Sequence, residues 1–153
     1  MDSKPWEVAV VSSNIANRQD VAGMLFRLGI DPICVSTVDQ CRELRARPNL
    51  GLVFCDRRVK DGDYRDVLSV VNTLDARQAE NETKVVMMAD LDTPEEYQQA
   101  RQHGLFDVIP SPCRPTDVEW MVIQAKRNRC QRKDLIAPSR NLSVLWKAAG
   151  AGA

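Results

Sequence analysis

The chain has 153 residues, of which 44% are apolar, and its 21 basic and 21 acidic side chains cancel to a formal net charge of zero. A chain of this length and composition can bury one core, so we expect one domain with a tail rather than disorder. No apolar run approaches the length that spans a bilayer, and the charged N-terminus does not fit a signal peptide. We therefore expect a soluble, cytoplasmic protein with no membrane contact.

The cysteines and the single histidine indicate neither a metal site nor a disulfide framework. The five cysteines are odd in number and have no paired spacing, and His103 is alone. One histidine without suitably spaced cysteines does not make a zinc set, so we expect reduced, structural thiols. Cys34 and Cys55 stand in apolar runs, where we expect each to pack as a small hydrophobic side chain.

Three short apolar runs in the first half of the chain predict buried strands, at residues 7–11, 33–35 and 52–55. Ser13 or Asn14 can cap the helix that follows the first run, because their side-chain oxygens accept amide hydrogens of the first turn. Ser36 or Thr37 can do the same after the second run. The third run ends in a lone carboxylate, Asp56, which is followed by charged residues and a glycine-containing turn.

Two further strands and three helices are predicted in the second half of the chain, with the strands at residues 84–89 and 106–110. The third helix begins at Tyr64 and has an amphipathic pattern. The fourth helix has a strong start, in which Thr93 is the cap and Pro94 occupies the first helical position, and it ends near Gly104. A proline-rich connector then leads to the last long helix, for which Thr116 is the expected cap.

Five strands that alternate with five helices predict a three-layer α/β domain around a doubly wound, five-stranded parallel sheet of order 2-1-3-4-5. In such a sheet the ligand crevice lies beyond the carboxyl ends of the strands, so Asp56 is expected to point into it. The alternative is an ordinary aspartate that caps a turn. We expect the domain to span residues 6–133, and residues 134–153 to form a tail with a linker and a short helix.

Several of these segments resemble, in the right order and at the right separations, the receiver domain of two-component response regulators. The similar segments are the first strand with the two serines after it, the third strand with Asp56, the fourth strand, and the run from Gly104 to Pro112. The resemblance covers about residues 6–132 and implies a flavodoxin-like fold with Asp56 as the phosphoacceptor. It also implies a signalling protein rather than an enzyme.

The sequence departs from the family at the other positions of the phosphorylation chemistry. Active receivers hold Mg²⁺ with two acids where this chain has Ser12 and Ser13. Ala89 stands where the family has a threonine or serine that contacts the phosphoryl group. Ser111 replaces the lysine that pairs with that group, and Val108 replaces the aromatic switch residue. Because two neutral serines bind Mg²⁺ poorly, we expect weak or absent Mg²⁺ binding, no metal site and no cofactor.

We therefore expect an atypical receiver that acts mainly as a protein-interaction module, with impaired Mg²⁺-dependent phosphorylation. The alternative is a functional phosphorelay, in which a histidine kinase phosphorylates Asp56 and a second carboxylate comes from Asp61, Asp63 or Asp90. Without a metal, Asp56 would be stabilised by one of the two serines, by backbone amides, or by a nearby cation, for which the candidates are Arg57, Arg58 and Lys60.

The resemblance implies protein partners, namely a histidine kinase, an output protein or a second copy of the chain in a homodimer. The expected contact surface comprises residues 93–104, 106–109 and 115–133. The basic run at residues 126–133 is more simply read as a set of solvated charges, so nucleic acid is not an expected partner. An enzyme on a flavodoxin-like fold is disfavoured, because the loop after the first strand has no glycine and no nucleophile is paired with a base.

Overall fold

A computed structural model describes residues 6–44, 46–72 and 83–134, with side chains described up to residue 128. In chain order the elements are β1 (Glu7–Val11), α1 (Ile15–Arg27), β2 (Ile33–Val35), α2 (Val38–Leu44), β3 (Leu50–Asp56), β4 (Arg58–Val59), β5 (Gly62–Asp63), α3 (Tyr64–Val71), β6 (Lys84–Met88), α4 (Pro94–Gln102), β7 (Asp107–Ile109) and α5 (Pro115–Asp134). The tail predicted from residue 134 onward lies outside the described residues, apart from Asp134 itself, the last residue of α5.

The main sheet has five parallel strands in the order β2-β1-β3-β6-β7, which confirms the predicted doubly wound topology. The register is continuous across its centre, where Val10 lies beside Phe54 and Phe54 beside Val86. The strands β4 and β5 form a separate antiparallel hairpin directly after β3. From the sequence we expected a turn rather than a hairpin here, because strands of two residues are too short to show any periodicity.

The central strand β3 is buried on both faces, and its side chains alternate between two cores. Val53 and Cys55 pack with residues of α2, α3 and α4, whereas Leu52 and Phe54 pack with residues of α1 and α5. All four side chains are fully buried. Burial of a side chain such as Leu52 or Phe54 contributes about 1.5–3 kcal/mol, so the strand that ends at Asp56 is firmly anchored.

The helix starts follow the expected capping chemistry with one exception. Asn14 caps α1 by accepting the amide of Asn17 at 3.0 Å, and Thr93 caps α4, where Pro94 is the first residue. The prediction that Thr116 caps α5 was wrong, because this helix begins at Pro115. Proline suits the first helical position since its missing N–H is not needed there, which leaves Thr116 inside the helix. No helix among the described residues is long and apolar enough to cross a membrane.

The prediction that Cys34 packs as a buried hydrophobic side chain was also wrong. Cys34 is exposed because β2 is an edge strand with a neighbour on one side only. Cys55 is buried in the central strand as expected, and Cys41 and Cys113 are buried as well. Burial raises the pKa of the Cys41 and Cys113 thiols to about 12, so both stay protonated at neutral pH.

Candidate functional site

The carboxyl ends of the strands bring three of the predicted site residues to one cavity. Asp56 is the last residue of β3, Ala89 follows β6, and Ser111 follows β7. These residues border an open cavity of about 440 Å³, whose other lining residues include Arg58 and Asp20. Asp56 therefore faces the crevice beyond the sheet, as expected for this topology.

Both oxygens of the Asp56 carboxylate accept a hydrogen bond from a neutral side chain. The hydroxyl of Ser12 donates to Oδ2 at 2.5 Å, and the amide of Asn17 donates through Nδ2 to Oδ1 at 2.8 Å. Ser12 is fully buried directly after β1, and Asn17 lies in the first turn of α1. We refer to Ser12 and Asn17 as the donor pair of Asp56.

The environment of Asp56 acts on its pKa in two opposing ways. Burial of the carboxyl group raises the pKa, because the charged form loses solvation. The hydrogen bonds from Ser12 and Asn17 favour the charged form and oppose that change, without cancelling it. Within the described part of the chain, no lysine or arginine forms an ion pair with Asp56. The donor pair is thus the stabilisation that the carboxylate receives.

Ser13 does not face Asp56, although the sequence analysis grouped it with Ser12. Its hydroxyl donates to the carbonyl of Ser36 at 2.6 Å and accepts the backbone N–H of Lys60 at 2.8 Å. Successive residues point in different directions at the end of a strand, which separates the two serines. Ser13 therefore ties the turn after β1 to the turn after β2 and to the hairpin that follows Asp56.

The charged residues proposed as helpers of Asp56 have other partners. Arg57 forms an ion pair with Glu96 at 3.1 Å, so it extends away from the carboxylate. Asp61 accepts the backbone amides of Val38 at 2.7 Å and of Asp39 at 3.1 Å. These bonds, first of all that from Val38, lower the pKa of Asp61.

The remaining candidate carboxylates are placed in a similar way. Asp63 caps α3, where it accepts the amides of Arg65 and Asp66. Asp90 lines a separate cavity of about 420 Å³ together with Val108. None of Asp61, Asp63 and Asp90 lines the Asp56 cavity, so the structure does not bring the proposed second carboxylate to the site. Lys60 contributes a backbone amide to Ser13 rather than a charge to Asp56.

The half of the rim formed by β6 and β7 has few polar side chains near Asp56. Ala89 is buried and has only a methyl group, and Val108 is half-buried beside the second cavity. Ser111 borders the Asp56 cavity but forms no hydrogen bond with Asp56, and the hydroxyl of Tyr97, beside the second cavity, donates to Asp107 at 2.9 Å. Among the described residues of this half, none forms a hydrogen bond or an ion pair with Asp56.

Asn17 and Asp20 are site residues that the sequence analysis missed. Asn17 contacts Asp56 across 39 positions of sequence, and Asp20 lines the same cavity. A usable signal was present, because Asn17, Val21 and Leu25 have the i, i+4, i+8 spacing of one helix face, and Val21 and Leu25 are buried. Asn17 therefore continues the sheet-facing side of α1 up to the rim where β3 ends.

The comparisons with known proteins bear on the fold. No protein-family model and no curated protein matches the sequence. Solved structures do match: the receiver domain of a protein described as a Luxo repressor from Vibrio parahaemolyticus has a TM-score of 0.70 at 18% identity, covering 86% of this chain and 96% of that one. The chemotaxis response regulator CheY4 of Vibrio cholerae has a TM-score of 0.68 at 15% identity, with coverages of 80% and 99%.

A third solved structure, the beryllofluoride-activated receiver domain dimer of NtrC4, has a TM-score of 0.69 at 13% identity, with coverages of 82% and 99%. These similarities establish that the chain has the flavodoxin-like fold of response regulator receiver domains. The resemblance drawn from the sequence is thereby confirmed for the fold.

Proposed function

We propose that this chain is an atypical receiver of two-component signalling that acts mainly by binding other proteins, with impaired Mg²⁺-dependent phosphorylation of Asp56. The observation that carries the proposal is the donor pair. Both oxygens of Asp56 are engaged by neutral donors, at 2.5 Å from Ser12 and 2.8 Å from Asn17. A carboxylate satisfied in this way does not need a cation to hold it.

The chemistry of the donor set does not fit Mg²⁺. This ion requires an octahedral shell of oxygen ligands that is anchored by carboxylates. Ser12 and Asn17 instead direct an O–H and an N–H hydrogen at Asp56. In the described ranges of the chain, no group of three or more His, Cys, Asp or Glu side chains could hold a metal ion.

The loss of a fixed cation would have a large kinetic effect. Phosphoryl transfer depends on positioning and on neutralisation of the developing charge. Removing that stabilisation raises a barrier by several kcal/mol, and about 4 kcal/mol corresponds to roughly a thousandfold in rate. Ala89 and Ser111 do not supply a compensating charge on the other half of the rim.

We further propose that the partner is a second copy of the chain or an output protein, which binds the face formed by α4, β7 and α5. Trp120 is 55% exposed, Ile123 40% and Tyr97 39%, so three large apolar side chains of α4 and α5 are accessible to a partner. The NtrC4 receiver domain, which has this fold, is a dimer in its activated form. In the homodimer, Trp120→Asp is expected to shift the chain toward monomer in light scattering.

A functional phosphorelay is the second candidate, and one observation favours it. Asp56 borders an open cavity of about 440 Å³ that also contains Arg58, so a phosphate donor can reach the carboxylate. Arg58 has no hydrogen bond or ion pair to another described side chain. A histidine kinase would then have to supply the geometry and charge that the pocket lacks.

The two candidates are separated by incubation with acetyl phosphate and Mg²⁺, followed by intact-mass measurement. The proposed function predicts no phosphoryl adduct on the wild-type chain under conditions that phosphorylate an active receiver run in parallel. A mass increase that disappears in Asp56→Asn would overturn the proposal and favour the phosphorelay. An increase that persists in Asp56→Asn would place the modification elsewhere, and the proposal would stand.

A further inference from the structure

We infer that Asn17 is a positioning residue of the Asp56 site, and that Asn17 and Ser12 together occupy the place in which a receiver holds its divalent cation. The inference deepens the proposed function and rests on its premise that Asp56 is the centre of the site. It adds a residue that no position of the receiver pattern assigns, since Asn17 lies outside all the matching segments. It also explains how a site with Ser12 and Ser13 in place of the acid pair can retain a half-buried aspartate.

The geometry of the amide group carries this inference. The Nδ2 atom of Asn17 is 2.8 Å from Oδ1 of Asp56, so one N–H hydrogen lies between the two atoms. A cation that bound Oδ1 from this side would meet the positive end of the amide dipole. Ser12 covers the second oxygen in the same way, with its hydroxyl 2.5 Å from Oδ2. Cation binding would therefore require both donors to turn away.

Both donor residues are held in place by hydrogen bonds with neighbouring residues. The N–H of Asn14 donates to the Ser12 hydroxyl at 3.2 Å, and Arg18 donates through Nη1 to the Ser12 carbonyl at 2.7 Å. Asn17 lies in a turn whose start is fixed by the cap Asn14, which accepts the Asn17 amide at 3.0 Å. Because Ser12 and Asn17 are oriented before any ligand arrives, they favour one arrangement of the Asp56 carboxylate.

The test replaces the amide by a carboxylate of the same size. In Asn17→Asp, two carboxylates face each other where a donor and an acceptor stood, and their repulsion is relieved by a divalent cation. Asn14→Asp is the matched control, because it adds the same charge at a residue that lines the same cavity but forms no hydrogen bond with Asp56. An aspartate also caps a helix as well as an asparagine does, so α1 is preserved.

Mg²⁺ is titrated into the wild-type chain and both variants, and binding is followed by ¹H–¹⁵N NMR. We expect Asn17→Asp to bind Mg²⁺ about tenfold or more tightly than Asn14→Asp, because the number of carboxylates in a site sets its affinity. Equal affinity in the two variants would mean that charge alone matters, and the inference would be wrong. It would also be wrong if Asn17→Asp did not gain affinity, or if the wild-type chain already bound as tightly.

A second variant keeps the inference testable if Asn17→Asp does not fold. Asn17→Ala removes one donor from Asp56 and adds no charge, so the pKa of the Asp56 carboxyl is expected to rise relative to the wild-type chain. Asp20 and Arg58, the charged groups that line the same cavity, remain in both chains. Gln19→Ala, on the exposed side of α1, is the control and should leave the titration unchanged.

The Asp56 titration is read from the ¹³C signal of its carboxyl carbon. An unchanged Asp56 pKa in Asn17→Ala would contradict the positioning role. The outcome is independent of the acetyl phosphate experiment, which tests the proposed function. If the wild-type chain is phosphorylated and Asn17→Ala shifts the Asp56 pKa, the proposed function is wrong and the role of Asn17 stands. If the wild-type chain is not phosphorylated and the pKa does not shift, the proposed function stands and the role of Asn17 is wrong.

Discussion

The two halves of the rim at the carboxyl edge of the sheet differ in how much polar structure they contain. At the ends of β1 and β3, Ser12 and Asn17 hold both oxygens of Asp56, and Ser13 ties this half to its neighbouring turns. In the half formed by β6 and β7, Ala89 and Val108 have apolar side chains, and Ser111 forms no hydrogen bond with Asp56. One half of the rim therefore holds the Asp56 carboxylate by hydrogen bonds, and the other half forms no hydrogen bond with it.

This difference indicates which structural elements a change at Asp56 would affect. The hydrogen bonds of Asp56 lead to α1, and the hairpin after Asp56 is bonded to the start of α2 through Asp61. No hydroxyl at Ala89 connects Asp56 with the side of the sheet that includes α4. Energetic coupling needs physically connected groups, and the hydrogen bonds of the Asp56 carboxylate connect it to Ser12 and α1, whereas α4 is reached only through the neighbouring residue Arg57 and its ion pair with Glu96 among the described contacts.

The largest expected effect comes from placing an acid in the polar half. Ser12→Asp puts a second carboxylate at a fully buried position against Asp56. We expect a loss of several kcal/mol in the free energy of unfolding, measured in urea with EDTA, because a buried unpaired charge is strongly destabilising. Mg²⁺ should restore part of the loss, since the two carboxylates can then share a ligand.

The same substitution in the other half is the control for that experiment. Ser111 is partly exposed and forms no hydrogen bond with Asp56, so Ser111→Asp should be far less destabilising and should respond less to Mg²⁺. Equal losses in Ser12→Asp and Ser111→Asp would abolish the contrast between the halves.

Removal of a hydroxyl gives the next largest difference. Ser12→Ala leaves Oδ2 of Asp56 without its donor, which is expected to cost about 1–3 kcal/mol in the free energy of unfolding. Ser111→Ala should stay within about 0.5 kcal/mol of the wild-type chain, as is usual for surface changes. Urea unfolding of the two variants tests this, and a larger loss in Ser111→Ala would reverse the assignment of the two halves.

Ser13 tests the connection between the polar half and the hairpin. Ser13→Ala removes the acceptor of the Lys60 amide and the donor to the Ser36 carbonyl, with an expected loss of about 1 kcal/mol. Hydrogen exchange of the Lys60 amide should accelerate more than that of amides in β3. Ser69→Ala, at an exposed position of α3, serves as the control. Protection of Lys60 that survives in Ser13→Ala would show that another group holds the hairpin.

The smallest expected effect is a pH dependence of stability. Burial raises the pKa of Asp56 above its ordinary value of 3.8, so the folded state binds this proton more tightly than the unfolded state. Comparison with Asp56→Asn isolates this group. The stability of the wild-type chain relative to Asp56→Asn should fall as the pH rises above 3.8 and should level off beyond the folded pKa.

The other shifted carboxyl groups do not disturb this comparison. Backbone amides, those of Val38 and Asp92 first, lower the pKa of Asp61 and Glu96, so these groups lose stabilising interactions as the pH falls. They are present in both chains and cancel in the difference. A relative stability that increases with pH would mean that the donor pair outweighs burial at Asp56.

The sequence was sufficient for the sheet because its signals are local. Apolar runs such as Leu52 to Cys55 and caps such as Thr93 occur within a few residues, and the order of elements then leaves few topologies. Asp56 was placed at the rim by the same logic. The hairpin after Asp56 was missed because its strands have two residues each.

The polar partners of Asp56 were harder to predict because they depend on tertiary contacts. Ser12 and Ser13 are neighbours in sequence, yet one bonds Asp56 and the other bonds Ser36. Asn17 belongs to no motif, and its contact exists only when α1 lies beside β3. Cys34 differs, because the predicted strand order already placed β2 at an edge, but a run of three apolar residues did not show that the middle side chain is exposed.

A crystal structure of the wild-type chain grown in millimolar Mg²⁺ tests the central claim most directly. We expect the Ser12 hydroxyl and the Asn17 amide to lie within hydrogen-bond distance of the two Asp56 oxygens, with no cation bound to that carboxylate. A Mg²⁺ ion at about 2.1 Å from an Asp56 oxygen, with Asn17 turned away, would contradict it.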